Sequence, residues 1–247
     1  MNALIVSFAA LAIMLFAGFG ALYLRLPEKH LADDTKDVVR LGTGLIATIA
    51  ALVLGLLISS AKGSYDSQTG NVQHIAADVI LTDQLLAVYG PEATPVREQL
   101  RQAIEPMIAR LWREPGSAGQ TAFTSDGPGR DAYVQIALLT PQTELQRILK
   151  DRAIQAILDL AQARLTLFEQ AGNHIPAPFV AVLVLWLAII FASFGLFSQF
   201  NLLSVGALVI FAISAAGALF LVLELSGPFI GLLQISSAPL RNALAPL

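Results

Sequence analysis

Residues 36–66 read KDVVRLGTGLIATIAALVLGLLISSAKGSYD, and their uncharged centre decides the fold. The run occupies 41–61 and is closed by Arg40 on one side and Lys62 on the other. At about 1.5 Å per residue it reaches roughly 32 Å as a helix, enough to cross a hydrocarbon core of about 30 Å. The stretch is therefore read as a membrane-spanning helix. Gly44, Thr48, Ala51, Gly55 and Ser59 recur at steps of three and four, so they share one face. Leu45, Ile49, Leu52 and Leu56 form a strip beside it, and Ile46, Val53 and Leu57 complete the apolar surface. Leucine gains nothing over lipid, so a small-residue stripe matters where a backbone, water or an ion comes close. Two readings follow: tight packing against a neighbouring helix, or a narrow, mostly uncharged pathway bordered by several copies of this face.

Composition sets the class. The chain is 55% hydrophobic and 13% charged, whereas soluble domains carry about 25% charged residues. This is the balance of an integral membrane protein. With no cysteine, a disulfide scaffold, thiolate metal ligation and cysteine catalysis are excluded. A net charge of -3 offers nothing to nucleic acid.

In chain order, 3–24 is a further uncharged run long enough to span. No Lys or Arg precedes it, and it exceeds a signal-peptide core of about 7–15 residues, so it reads as an uncleaved first helix. The connector 25–40 mixes Arg25, Lys29, Lys36 and Arg40 with Glu28, Asp33, Asp34 and Asp37. Asp34 or Thr35 is placed to cap the second helix, with Asp37 in its first turn, so that helix starts before its apolar part.

From 62 to 174 the composition turns ordinary, with ten Lys or Arg against thirteen Asp or Glu. In 71–89, Ile75, Val79, Thr82 and Leu86 share a side, and Gly90-Pro91 is a stop signal. In 95–114, Val96, Leu100, Ile104, Met107 and Leu111 keep helical spacing behind Pro95, and Pro106 is expected to kink the helix. The segment 115–131 is rich in Gly, Ser and Pro and reads as a flexible excursion. Thr140 and Pro141 then open a long helix in which Leu145, Leu149, Ala153, Ala156, Leu160, Ala163 and Leu167 form a near-heptad seam. Such a seam closes a bundle packed on itself or faces other subunits.

Two more spans follow at 179–200 and 202–223, joined by a tight hairpin at 198–201 and ended by Glu224. The tail mixes Phe229, Ile230, Leu232, Leu233 and Ile235 with Gly and Pro breaks, which points to the membrane interface or to the flank of the spans. The expected fold is thus an all-α membrane protein with four transmembrane helices and a helical extramembrane domain between helices two and three. Its parts are 1–61, 62–174, 175–224 and 225–247.

Four crossings put the N-terminus, 62–174 and the tail on one side. The positive-inside rule places 25–40 in the cytoplasm and the helical domain outside. Chemistry is sparse. His30, His74 and His174 are dispersed, and no zinc, EF-hand, nucleophile-elbow or phosphate-loop motif occurs, so neither metal, cofactor nor enzymatic activity is expected. Ser59, Ser60 and Ser64 are expected to bond their own helix backbone. Glu224 reads either as an intramembrane carboxylate of a transporter or, preferably, as a helix-end group among headgroups.

The connector LPEKHLADDTKDVVRLGTGLIATIAALVLGLLISSAKGSYD, YGPEA at 89–93 and the closing ELSGPFIGLLQISSAPLRNAL resemble a bacterial family of multi-pass membrane proteins with a bestrophin-like domain. Bestrophins proper are pentameric ion channels with four membrane helices per subunit, a pore lined by the second, and a helical domain prolonging it outside the bilayer. The resemblance therefore implies a homo-oligomer, a pentamer by that likeness, in the bacterial inner membrane, conducting inorganic ions. It also implies an orientation opposite to the positive-inside reading. The second span departs from bestrophins in having no aromatic residue, and no run matches their acidic calcium clasp. On this reading Gly44, Thr48, Ala51, Gly55 and Ser59 border the pathway, while Arg40, Lys62, Asp33, Asp34, Asp37 and Asp66 set the potential at its mouths. The alternative is a non-conducting scaffold or sensor whose 62–174 domain binds a partner.

Overall fold

A computed structural model of the chain describes residues 3–23, 33–112, 128–171, 175–198 and 201–244, and among them every regular element is helical. The elements are α1 (Ala3–Tyr23), α2 (Asp33–Tyr89), α3 (Thr94–Leu111), α4 (Pro128–Leu138), α5 (Glu144–Ala171), α6 (Ala177–Phe197), α7 (Leu202–Leu225) and α8 (Ala238–Leu244), with a 3-10 turn at Pro91–Ala93. Four of these, α1, α2, α6 and α7, are long and apolar enough to cross a membrane, as the uncharged runs predict. The second helix does start before its apolar part, at Asp33, and continues for 57 residues to Tyr89. It stops where Gly90 adopts φ 131°, a conformation open to glycine, ahead of Pro91. The side chains of Asp33, Asp34 and Thr35 lie outside the described residues.

The chain divides into two compact units, Met1–Gly63 with His174–Ser226, and Ser64–Asn173 with Gly227–Leu247. In the first, α1 packs on both α6 and α7. Ala10 and Met14 of α1, Ala50 of α2, Leu183, Ile190 and Phe191 of α6, and Leu208, Ala212, Ala216 and Leu219 of α7 form its core. Small residues bring these helices together without loss of contact, the usual solution where lipid supplies no hydrophobic drive. One polar link crosses it: the Thr43 hydroxyl on α2 donates to Ser193 Oγ on α6 at 3.0 Å, both residues being buried. Asn201, whose side chain accepts from Ser204 N at 2.7 Å, caps α7 and so closes the turn read as a hairpin. Residues 199–200 of that turn lie outside the described residues.

The second unit has its own core. Ile75, Val79 and Leu86 of α2 and Val96, Leu100, Ile104, Met107 and Leu111 of α3 are buried in it, as their spacing predicts. The α3 helix runs on through Pro106. On α5, Ala153, Leu160 and Leu167 are core residues, with Leu149 and Ala163 packed against them, while Leu145 is exposed. From Leu149 to Leu167 the seam is therefore internal packing within this unit.

Three boundaries differ from the sequence reading. The excursion read over 115–131 lies outside the described residues up to 127, but its last four residues are already α4. Pro128 stands first in that helix, where its missing N–H and fixed φ are harmless. The helix expected from Thr140 opens instead at Glu144. Thr143 Oγ1 accepts from Gln146 N at 3.2 Å and Gln146 Oε1 accepts from Thr143 N at 3.3 Å, a reciprocal cap that outcompetes the nearby Pro141. The third difference is the tail. Phe229, Ile235 and Leu240 are buried in the core of the helical unit. Trp112 holds them there, donating from Nε1 to Ile235 O at 2.6 Å and meeting the Phe229 ring edge-on at 5.3 Å. A segment with apolar residues and no helical period fits a core as well as an interface, and composition alone does not separate the two.

Candidate functional site

The apolar part of α2 has two sides of different character. Thr43, Ala47, Ala50, Leu54 and Leu57, at steps of three and four, with Ile46 beside them, enter or pack on the core formed with α1, α6 and α7. Gly44, Thr48, Ala51, Gly55 and Ser59 flank that packed side, Gly44 at its edge, and all five are exposed. Among the described residues no atom beyond the helix's own backbone lies within 4 Å of where a Cβ would stand on Gly44 or Gly55. The strip beside them is equally bare, with Leu45, Leu52 and Leu56 each more than 60% exposed. Only 11% of the apolar window of α2 is buried, against 28–33% for the other three spans. Among the described residues the small-residue stripe is thus not used for packing. Thr48 spends its hydroxyl on Gly44 O at 3.0 Å, leaving the face weakly polar and uncharged.

Charges flank this face along the helix. Asp37 and Arg40 precede the apolar run, Lys62 and Asp66 follow it, and all four are exposed. Asp33 and Asp34 complete the predicted set, their side chains lying outside the described residues.

Arg40 and Gly44 also border a recess that sequence reading missed. It measures about 510 Å³ and is bounded by α2, α6 and α7 within the first unit. Its walls are mostly apolar, with Phe194 and Phe197 of α6 and Leu208 and Phe211 of α7, and its polar groups are Arg40 and the hydroxyls of Thr43, Ser193, Ser198 and Ser204. The Arg40 guanidinium lies 5.8 Å from the centroid of the Phe197 ring. Gly44 keeps one side of the recess open because it has no side chain. The signal for this site was a set of hydroxyls near the 198–201 turn, too scattered to read without the helix crossings.

Glu224 is 5% exposed in the last turn of α7. It keeps the helix-end position that the sequence reading gave it, one residue before α7 ends at Leu225, and its side chain is buried. A second buried carboxylate, which the sequence reading did not single out, is Asp83, 6% exposed in the helical unit. Arg97 donates to it twice, from Nε at 2.9 Å and from an Nη at 2.8 Å, with Arg101 at 3.6 Å. The hydrogen bonds from Arg97 hold its carboxyl below the ordinary range against the opposing effect of burial. Asp78, on the same helix, is shifted the other way, by burial first and then by Asp159. Among the described residues no group of three His, Asp or Glu side chains is arranged to hold a metal ion.

No curated protein and no solved structure matches this chain. The family profile described as the bestrophin-like domain matches residues 10–240, covering the bare face of α2 and the recess beside it, and the chain belongs to that family.

Proposed function

We propose that this chain is one subunit of an oligomeric ion channel of the bacterial inner membrane, with the Gly44/Thr48/Ala51/Gly55/Ser59 face of α2 bordering the pathway. The observation that carries this reading is that a small, weakly polar stripe on a spanning helix has no packing partner among the described residues of its own chain. Several copies around an axis would supply its missing neighbours and leave room for water along it. Leu45, Ile49, Leu52 and Leu56, bare beside the stripe, are placed to gate by dewetting. Asp37, Arg40, Lys62 and Asp66, with Asp33 and Asp34, bias the local ion concentration at the two ends, and charges of both signs leave the conducted ion open. The ordinary charge content of 62–174 supports placing the helical unit outside the bilayer, inserted between the second and third spans.

A scaffold working through the α5 seam draws no support from the packing, because that seam is already filled by its own unit. Purified protein in planar bilayers should conduct, and Gly55→Leu should change the current. Silence in every salt would overturn the proposal.

A further inference from the structure

We infer that the recess between α2, α6 and α7 is a binding site for one anionic phospholipid, its acyl chain against Phe194, Leu208 and Phe211 and its phosphate on Arg40. Three observations converge. The volume, about 510 Å³, is that of a site for a small organic molecule rather than a bare ion. The walls are largely apolar, which suits a hydrocarbon chain and would penalise a hydrated anion stripped of its water. Among the described residues the one charged group on the lining, Arg40, stands where the uncharged run of α2 begins, the level at which headgroups lie. Among the described residues no carboxylate is paired with it, and its guanidinium lies over the face of Phe197. A guanidinium so placed offers its donor fork to a phosphate, and basic pockets between spanning helices take up acidic headgroups in this way. Thr43, Ser193, Ser198 and Ser204 line the same recess with hydroxyls suited to a glycerol or ester group. The inference uses only the first unit and does not depend on conduction.

The test uses full-length protein purified in detergent, with phosphatidylglycerol and phosphatidylcholine of identical chains added in turn and retention read by native mass spectrometry. Phosphatidylglycerol is expected to be retained about fivefold better, and Arg40→Gln to abolish that preference. Gly44→Phe, which puts a ring where no atom now lies, is expected to lower retention of both lipids. Against failure of a variant to fold, the unaltered protein is also photolabelled with phosphatidylglycerol carrying a photoreactive acyl chain, and adducts are expected on α6 and α7 at Phe194 and Phe211. Equal retention of the two lipids, or adducts only outside the recess, would overturn the inference. Displacement of the lipid by millimolar inorganic phosphate would reassign the site to free anions and overturn it too. So would a cross-link showing the recess filled by a neighbouring copy.

Discussion

Gly195 of α6 lies directly against the backbone of Gly18 on α1, so close that a Cβ at 195 would collide with the Gly18 carbonyl oxygen. The reverse relation is looser: a Cβ at Gly18 would meet Phe191 O at 3.5 Å, an ordinary contact. Gly195→Ala should therefore destabilise the first unit by about 2 kcal/mol, as overpacking does, whereas Gly18→Ala should be nearly neutral. Thermal unfolding in detergent or nanodiscs would reveal the asymmetry, and equal effects would contradict the crossing.

The helical unit carries two carboxylates of opposite pH behaviour. Asp83, held low by Arg97, contributes stability that is present above the unfolded-state value of about 3.9 and is lost as pH falls through the lower folded value. Asp78, pushed up by burial and by Asp159, has its most favourable contribution below about 3.9 and loses it as pH rises through the higher folded value. At neutral pH Asp83→Asn should thus destabilise, by about 2 kcal/mol for lost charge-assisted bonds, and Asp78→Asn should stabilise. Unfolding curves at pH 7 read both signs, and a destabilised Asp78→Asn would refute the assignment.

Along α5, burial should sort the seam residues. Leu160→Ala removes a core side chain and should cost about 3 kcal/mol, while Leu145→Ala, at a position 60% exposed, should cost little. Denaturant midpoints would separate them. Loss of a partner from Leu145→Ala with stability intact would revive a surface role for the seam.

Trp112 ties the tail into the core of the helical unit. Trp112→Phe keeps a ring near Phe229 but removes the donor to Ile235 O, leaving a carbonyl to find water, at about 1 kcal/mol. Hydrogen exchange should then rise in 227–240 before it rises elsewhere. Unchanged exchange there would mean the tail is held by its apolar residues alone.

What was legible in the sequence was what repeats along one helix. The α2 stripe and the α3 core positions follow from a 3.6-residue period that local spacing displays, as does the stop at Gly90. Relations between helices left no such trace. Gly18 and Gly195 look like any glycines in apolar runs until their helices cross, and the recess exists only where α2, α6 and α7 diverge. Asp83 and Arg97 are fourteen residues apart across the Gly90 turn, so their pairing depends on the turn geometry. The burial of Glu224 was not legible because a carboxylate at the end of an apolar run has the same local sequence whether lipid headgroups or protein surround it.

In the proposed channel the Ala51 side of α2 meets water along an ion path. The chain has no cysteine of its own, so Ala51→Cys creates a single addressable thiol on an otherwise silent background. In planar bilayers, a water-soluble, charged thiol reagent should reduce the current through Ala51→Cys channels and leave the unmodified protein untouched. A current that persists unchanged after the thiol has demonstrably reacted, or a thiol reached only by reagents dissolved in the lipid, would contradict the account.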